Sequence, residues 1–236
     1  MKSLRIWVST VLVAIGASLP RLALATYPIA AAPSLQVPGC PQFGVAHFNK
    51  TVPDQQDFPY TEVALCYNWN NITMAFSAWN ETSFYFDPAQ GTNDDIWKYE
   101  VMETFVALGD ADPQTYLEFE VSPNNVTFNA FIYNPTKVRA ENATFERFYI
   151  NNTLETGFNA FTTLDKKQKL WSSTISIPLG LFNIDNGAAK GTKWRMNFFR
   201  TVVDSATFPN QTLGGWSSPD KASFHITPFF GHVEFT

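Results

Sequence analysis

Residues 115–135 read TYLEFEVSPNNVTFNAFIYNP. Leu117, Phe119 and Val121 alternate with Glu118 and Glu120, which is the period of a strand whose side chains point to opposite faces. Ser122-Pro123-Asn124-Asn125 then supplies turn residues, and Val126, Phe128, Ala130 and Ile132 alternate on the way back. The pattern predicts a β-hairpin with one apolar face. Such a hairpin has to pack that face against another sheet.

The pattern repeats on both sides. From residue 61 onward, short runs of β-branched and aromatic residues are punctuated by Asn, Pro, Gly and Asp. Strands are expected at 63–69, 72–79, 82–86, 96–107, 171–177, 194–203 and 224–235. No long helical period is present, and the 16% aromatic content suits strands. So many short strands in one chain imply an all-β, antiparallel β-sandwich of jelly-roll type. Segment 136–169 is polar and is read as a long loop or decorated hairpin. Residues 26–60, rich in Pro and Ala, are read as an N-terminal arm with at most a short strand near Phe43 to Phe48. The sandwich is placed at 61–236, with Trp79, Trp171 and Trp194 in its core.

The first residues have the form of a secretory signal. Lys2 and Arg5 precede the apolar run IWVSTVLVAIGASL, and Ala23-Leu24-Ala25 offers a small-residue cleavage site, so 1–25 is expected to be removed. The apolar run is short for a membrane span, and the closing HVEFT is not a hydrophobic tail, so no membrane anchor is expected. Removal of 1–25 takes away Lys2, Arg5 and Arg21 and no acid. It leaves 13 basic side chains against 21 acidic, a net charge of −8. An acidic surface repels phosphate backbones, so nucleic acid is not an expected partner. Sequons follow, among them Asn71, Asn80, Asn125, Asn142, Asn151 and Asn210, as a secreted glycoprotein would carry. Cys40 and Cys66 are the two cysteines; in an oxidising compartment they are expected to form one disulfide, the alternative being two buried thiols.

A second stretch bears on function. Asp95 to Phe105 reads DIWKYEVMETF, and as a strand it would line up Trp97, Tyr99, Val101, Glu103 and Phe105 on one face. A lone carboxylate in that row is a paired core residue, a catalytic acid, or a hydrogen-bond acceptor beside an aromatic platform.

Five blocks, in order, are DDIWKYEVMETFVAL, YLEFEVSPNNVTFNAFIYNP, WSSTISIPLGLF, WRMNFFR and FHITPFFGHVEF. They resemble the family 9 carbohydrate-binding modules and their eukaryotic relatives over roughly residues 60–236. The resemblance implies a secreted carbohydrate-binding sandwich that clamps a sugar ring between two tryptophans, often at a chain end, and it allows a structural calcium. By position, Trp97 resembles the first platform and Glu103 the sugar-binding carboxylate. Trp216, in GGWSSP, would be the second platform, and Asn197 or Arg200 would meet sugar hydroxyls. A basic residue beside the carboxylate in the family is Met102 here, and the loop before Trp216 departs from the pattern. Chemically the set is coherent: an indole face covers the apolar face of a pyranose, while carboxylate, amide and guanidinium groups satisfy its hydroxyls. The bland alternative for Glu103 and Arg200 is a buried ion pair without a ligand.

The same residues admit other chemistries. A small jelly-roll glycoside hydrolase would need two carboxylates flanking a glycosidic bond, with Glu103 and either Glu118 or Glu120 as candidates. No second acid motif accompanies them, so a binder is expected rather than an enzyme. Thr26 at the expected mature N-terminus lacks the histidine of a copper oxygenase. A haem site would have to combine Met102 or Met196 with His225. The histidines His47, His225 and His232 have no zinc spacing. Asp110 and Asp112, in ALGDADP, have a loop composition compatible with calcium but no EF-hand pattern, and an exposed acidic turn is expected. Nothing in the residues indicates an oligomeric state.

Overall fold

The computed structural model describes residues 32–184 and 187–236; the expected signal segment lies outside the described residues. The chain forms two facing sheets. The larger has eight strands. Its order is β1 (Ser34–Val37), β13 (Gly231–Phe235), β11 (Lys193–Val202), β5 (Val101–Leu108), β6 (Thr115–Val121), β7 (Thr127–Tyr133) and β8 (Glu146–Tyr149), with β12 (Thr212–Gly215) also paired to β11. The smaller has the order β2 (Gly44–Lys50), β3 (Asp57–Tyr67), β4 (Asn71–Trp79), β10 (Leu170–Pro178) and β9 (Asn159–Asp165). All pairings between these strands are antiparallel except β1 with β13.

The core lies between the sheets. Met102 and Val106 of β5, Leu117, Phe119 and Val121 of β6, and Trp194, Met196 and Phe198 of β11 face Val63, Leu65, Met74, Phe76, Trp171 and Ile175 of the smaller sheet. Each such side chain contributes about 1.5–3 kcal/mol on leaving water. A second apolar cluster covers the opposite face of the large sheet. There Val101 and Phe105 of β5, Tyr116, Phe128 and Ala130 of the hairpin, and Phe199 of β11 are roofed by Val52, Ile96, Phe224 and Phe230. The middle of this sheet is therefore buried on both sides, which is why β5 is an almost continuous apolar run rather than an alternating one.

The hairpin forms at 115–133, but its two apolar rows do not share a face. Glu118 pairs with Ala130 and Glu120 with Phe128. Directly opposed residues project to the same side, so Phe128, Ala130 and Ile132 lie with the glutamates, away from Leu117 and Phe119. Segment 34–60, expected as an arm with at most a short strand near Phe43 to Phe48, supplies that strand as β2 and adds β1 and the start of β3. Pro59 is tolerated where β3 runs past the end of β4 and its pairing with β2 slips between Phe48 and Lys50. Residues 82–86 form no strand: the Glu81 carboxylate accepts the Ser83 and Phe84 amides and holds the chain in a turn. The segment expected as a long loop or decorated hairpin at 136–169 contains β8 and β9, which join different sheets. Trp171 and Trp194 are buried as expected, whereas Trp79 is 41% exposed. Cys40 and Cys66 are disulfide-bonded and join the β1–β2 turn to β3.

Candidate functional site

The covered face of the large sheet opens beside Glu103 into a cleft of about 210 Å3. Its floor is Glu103 of β5 with Glu118 and Glu120 of β6. One oxygen from each of the three carboxylates lies within 4.8 Å of the others. The register explains the cluster. Glu103 is directly opposite Glu120, and Glu118, two residues along β6, faces the same way. The walls are Trp97, Phe128, Leu213 and Phe224, and the polar rim is Arg139, Arg147, Gln211, Ser223 and His225.

Trp97 does not reach this cleft by strand alternation. Ile96–Lys98 is a single 3-10 turn ahead of β5, in which Ile96 is buried and Trp97 remains 39% exposed. The turn is held from outside by Gln211, whose side-chain amide donates to the Trp97 carbonyl at 2.7 Å. Lys98 sits 5.4 Å from the indole centroid and is paired with Asp95 at 2.7 Å. The result is a half-open indole next to a buried carboxylate.

Electrostatically the floor is unusual. Burial pushes Glu103 well above the ordinary carboxylate range, and the charge of Glu118 adds to the effect. Burial also raises Glu120, reinforced by Glu103 and Glu118. Glu118 is pushed up by burial to about 7, with Arg147 and Arg139 restraining the rise. Burial, with the same two arginines nearby, lowers His225 to about 3, so its ring is neutral. The Tyr116 hydroxyl lies 2.7 Å from His225 Nδ1. With the phenol donating there, the imidazole proton is on Nε2, on the side of Glu118, whose Oε1 is 3.7 Å away.

The other expected site residues stand elsewhere. Asn197 is buried, and its carboxamide is bonded to both the amide and the carbonyl of Ser217 and to the Phe198 amide. It anchors the segment that carries Ala222 to His225 into the cleft wall. Trp216 does not line the cleft. It packs on Phe198 at 5.4 Å between centroids and lies over Gly231, where a Cβ would overlap its ring. Arg200 faces the inter-sheet core, donating to Glu81 at 2.6 Å and to the Thr61 hydroxyl at 3.2 Å. Asp110 meets His232 at 3.0 Å, and Asp112 meets Arg195 at 2.7 Å, so side chains of the protein already occupy that acidic turn. Met102 and Met196 lie in the inter-sheet core, on the opposite face from His225, which excludes a shared haem between them. Sequons Asn80, Asn125, Asn142, Asn151 and Asn210 are exposed, and Asn71 is half-buried at the start of β4.

The sequence does not single out Arg139, Arg147 or Gln211, and it offers His225 only as a haem ligand, not as part of this cleft. Residues 139–147 and 211 lie in segments without a strand period, and only the fold brings them to 222–225. Phe145 is the one local signal. Arg139 lies 4.0 Å and Arg147 5.3 Å from its ring, and the ring meets His225 edge-on at 4.8 Å.

No protein-family model matches the chain. It is 56% identical over 203 residues to an extracellular protein of Arthroderma benhamiae, covering 86% of this chain and 90% of that one. A candidate carbohydrate-binding protein from Bacteroides uniformis superposes with a TM-score of 0.65 at 17% identity, covering 87% of this chain and 100% of the other. A family 9 carbohydrate-binding module from Caldicellulosiruptor kristjanssonii, solved with cellotriose, superposes with a TM-score of 0.53 at 12% identity, covering 86% and 93%. At these identities the two solved structures establish the shared sandwich. The chain belongs to the family of the Arthroderma benhamiae extracellular protein, built on the fold of the family 9 carbohydrate-binding modules.

Proposed function

We propose that this is a secreted carbohydrate-binding protein that seats a sugar ring against Trp97, with its hydroxyls directed at Glu103 and the polar rim. The observation that carries the reading is the convergence, in one cleft, of a half-open indole and an otherwise unpaired buried carboxylate. The indole offers a flat apolar surface, and the carboxylate, Gln211 and the two guanidiniums offer hydrogen-bonding groups around it. Carboxylate acceptors make stronger bonds to hydroxyls than neutral ones do. A cleft of about 210 Å3 suits a single ring at a chain end. Because Trp216 packs elsewhere, Phe128 and Phe224 take its place as the other apolar walls. The disulfide and the extracellular description of the Arthroderma benhamiae relative support secretion.

Hydrolysis is the competing reading, because buried carboxylates of raised pKa can act as acids. The arrangement favours binding. Glycosidases place two carboxyl groups on either side of the scissile bond, whereas Glu103, Glu118 and Glu120 stand side by side on one sheet face. A glycan array on the secreted protein, with reducing-end release measured on glucans, xylan and mannan, separates the two. Retention without product is expected, with weaker retention for Glu103→Gln. Product formation that vanishes in Glu103→Gln while the glycan still binds would establish a hydrolase instead.

A further inference from the structure

The floor of the cleft lacks a counter-charge. Glu103, Glu118 and Glu120 are each no more than 4% exposed. Among the described residues, no Lys or Arg forms an ion pair with any of them. Independently of their charge, Oε2 of Glu118 and Oε2 of Glu120 are buried without any hydrogen-bond partner. Orphaned acceptors of this kind are rare in folded proteins, and buried carboxylates in a cluster need a cation or shared protons. The spacing fits a cation. Oxygens around a calcium ion sit about 2.3–2.6 Å from it, so ligands of one ion lie within about 5 Å of each other. The three carboxylates present one oxygen each within 4.8 Å.

We propose that Glu103, Glu118 and Glu120 together bind a calcium ion at the floor of the cleft. The donors are all carboxylate oxygens, the choice of hard cations. An all-carboxylate donor set disfavours zinc and copper, which favour nitrogen and sulfur ligands. Calcium is preferred over magnesium because it accepts irregular oxygen sets, and the positions here are set by strand register rather than by octahedral geometry. Three carboxylates leave several coordination positions open towards the cleft for water. The metal site stands without the sugar reading. A second step, in which sugar hydroxyls replace those waters, rests on the sugar reading.

The test uses the whole secreted protein after chelation and buffer exchange. Terbium(III) chloride is titrated at pH 7.5 with excitation of tryptophan, followed by displacement with calcium chloride and calorimetry with calcium alone. One saturable site is expected, with terbium emission sensitised by Trp97 and removed by calcium. Affinity should fall at least tenfold in Glu120→Gln and in Glu103→Gln and be retained in Asp110→Asn, which alters the other acidic turn. The calcium-induced rise in melting temperature should disappear in the same two variants. Because the wild type alone must show saturation and thermal stabilisation, the proposal stays testable if a variant fails to fold. Absence of saturable calcium binding to the folded wild type, or an equal response in wild type and Glu120→Gln, overturns it. Glycan binding is then compared in calcium and in chelator. Saturable calcium without glycan binding upholds the metal site and sinks the sugar reading. Glycan binding without any calcium site does the reverse.

Discussion

Arg200 and Glu103 illustrate how one position of register separates two roles. In the β5–β11 pair, Arg200 is opposite Met102 and Phe199 is opposite Glu103. The arginine therefore points into the inter-sheet core and the glutamate away from it. The composition of both strands is visible in the sequence, but their relative register is not, and it alone decides whether the two charges meet. Arg200 is matched instead by Glu81, from a turn no strand pattern reveals. Burial pushes Glu81 up, but attraction to Arg200 and the amides of Phe84 and Ser83 outweigh it and hold the carboxyl below its ordinary value. Arg200→Leu should thus cost about 3–5 kcal/mol by leaving a buried charge unpaired, and the double variant Arg200→Leu/Glu81→Leu should recover part of it. Denaturant unfolding measures both, and a single-variant cost under about 1 kcal/mol would contradict the pairing. The sign with pH follows. A carboxylate of lowered folded pKa stabilises fully above the unfolded value of 4.5 and loses that contribution as pH falls through the lowered value. The cost of Arg200→Leu should accordingly shrink in acid.

At the scale of elements, the period-two pattern locates strands well and faces poorly. The hairpin 115–133 and strands β4, β10 and β11 could be read directly, because alternation or apolar runs end at clear turn residues. The face assignment of β7 could not, since both sides of the large sheet are apolar and either register buries carbon. Trp97 was expected inside a strand with Glu103. The two do line one cleft, but through a 3-10 turn that rotates Ile96 inward. Its pivot is the Gln211 side chain, more than a hundred residues away, so local sequence carries no sign of it. The Pro-rich start hid β1, and showed β2 only as a short stretch, for the opposite reason: both are edge strands, where weak patterning is tolerated. Their attachment depends on the Cys40–Cys66 bond and on the Cys40 amide donating to the Tyr67 carbonyl at 2.8 Å. Replacing both cysteines by serine should cost about 2–4 kcal/mol in chemical unfolding, with the rest of the sandwich intact by circular dichroism. Unchanged stability would show that strand pairing alone holds the edge.

For the whole molecule, two packed layers leave one face of the large sheet to be covered by loops, and the cleft is the gap in that cover. Its floor is rigid, being three carboxylates on paired strands. Its walls come from segments 96–98, 139–147 and 211–225, which reach it from separate parts of the chain. Trp97 and Glu103, which the resemblance of the β5 block singles out, both line the cleft. The second tryptophan did not transfer, because the loop bearing Trp216 departs from the family pattern and here packs its indole on Phe198. The central claim is that Trp97 is a binding surface and Trp216 a packing residue. Calorimetric titration of Trp97→Ala and Trp216→Ala, with the glycan found on the array, tests it most directly. Trp97→Ala should lose about 1–3 kcal/mol of affinity, by analogy with flat ligands stacked on aromatics, at a near-native melting temperature. Trp216→Ala should instead lower the melting temperature while the folded protein keeps its affinity. Wild-type affinity in Trp97→Ala, or loss of binding in a fully stable Trp216→Ala, would contradict the account.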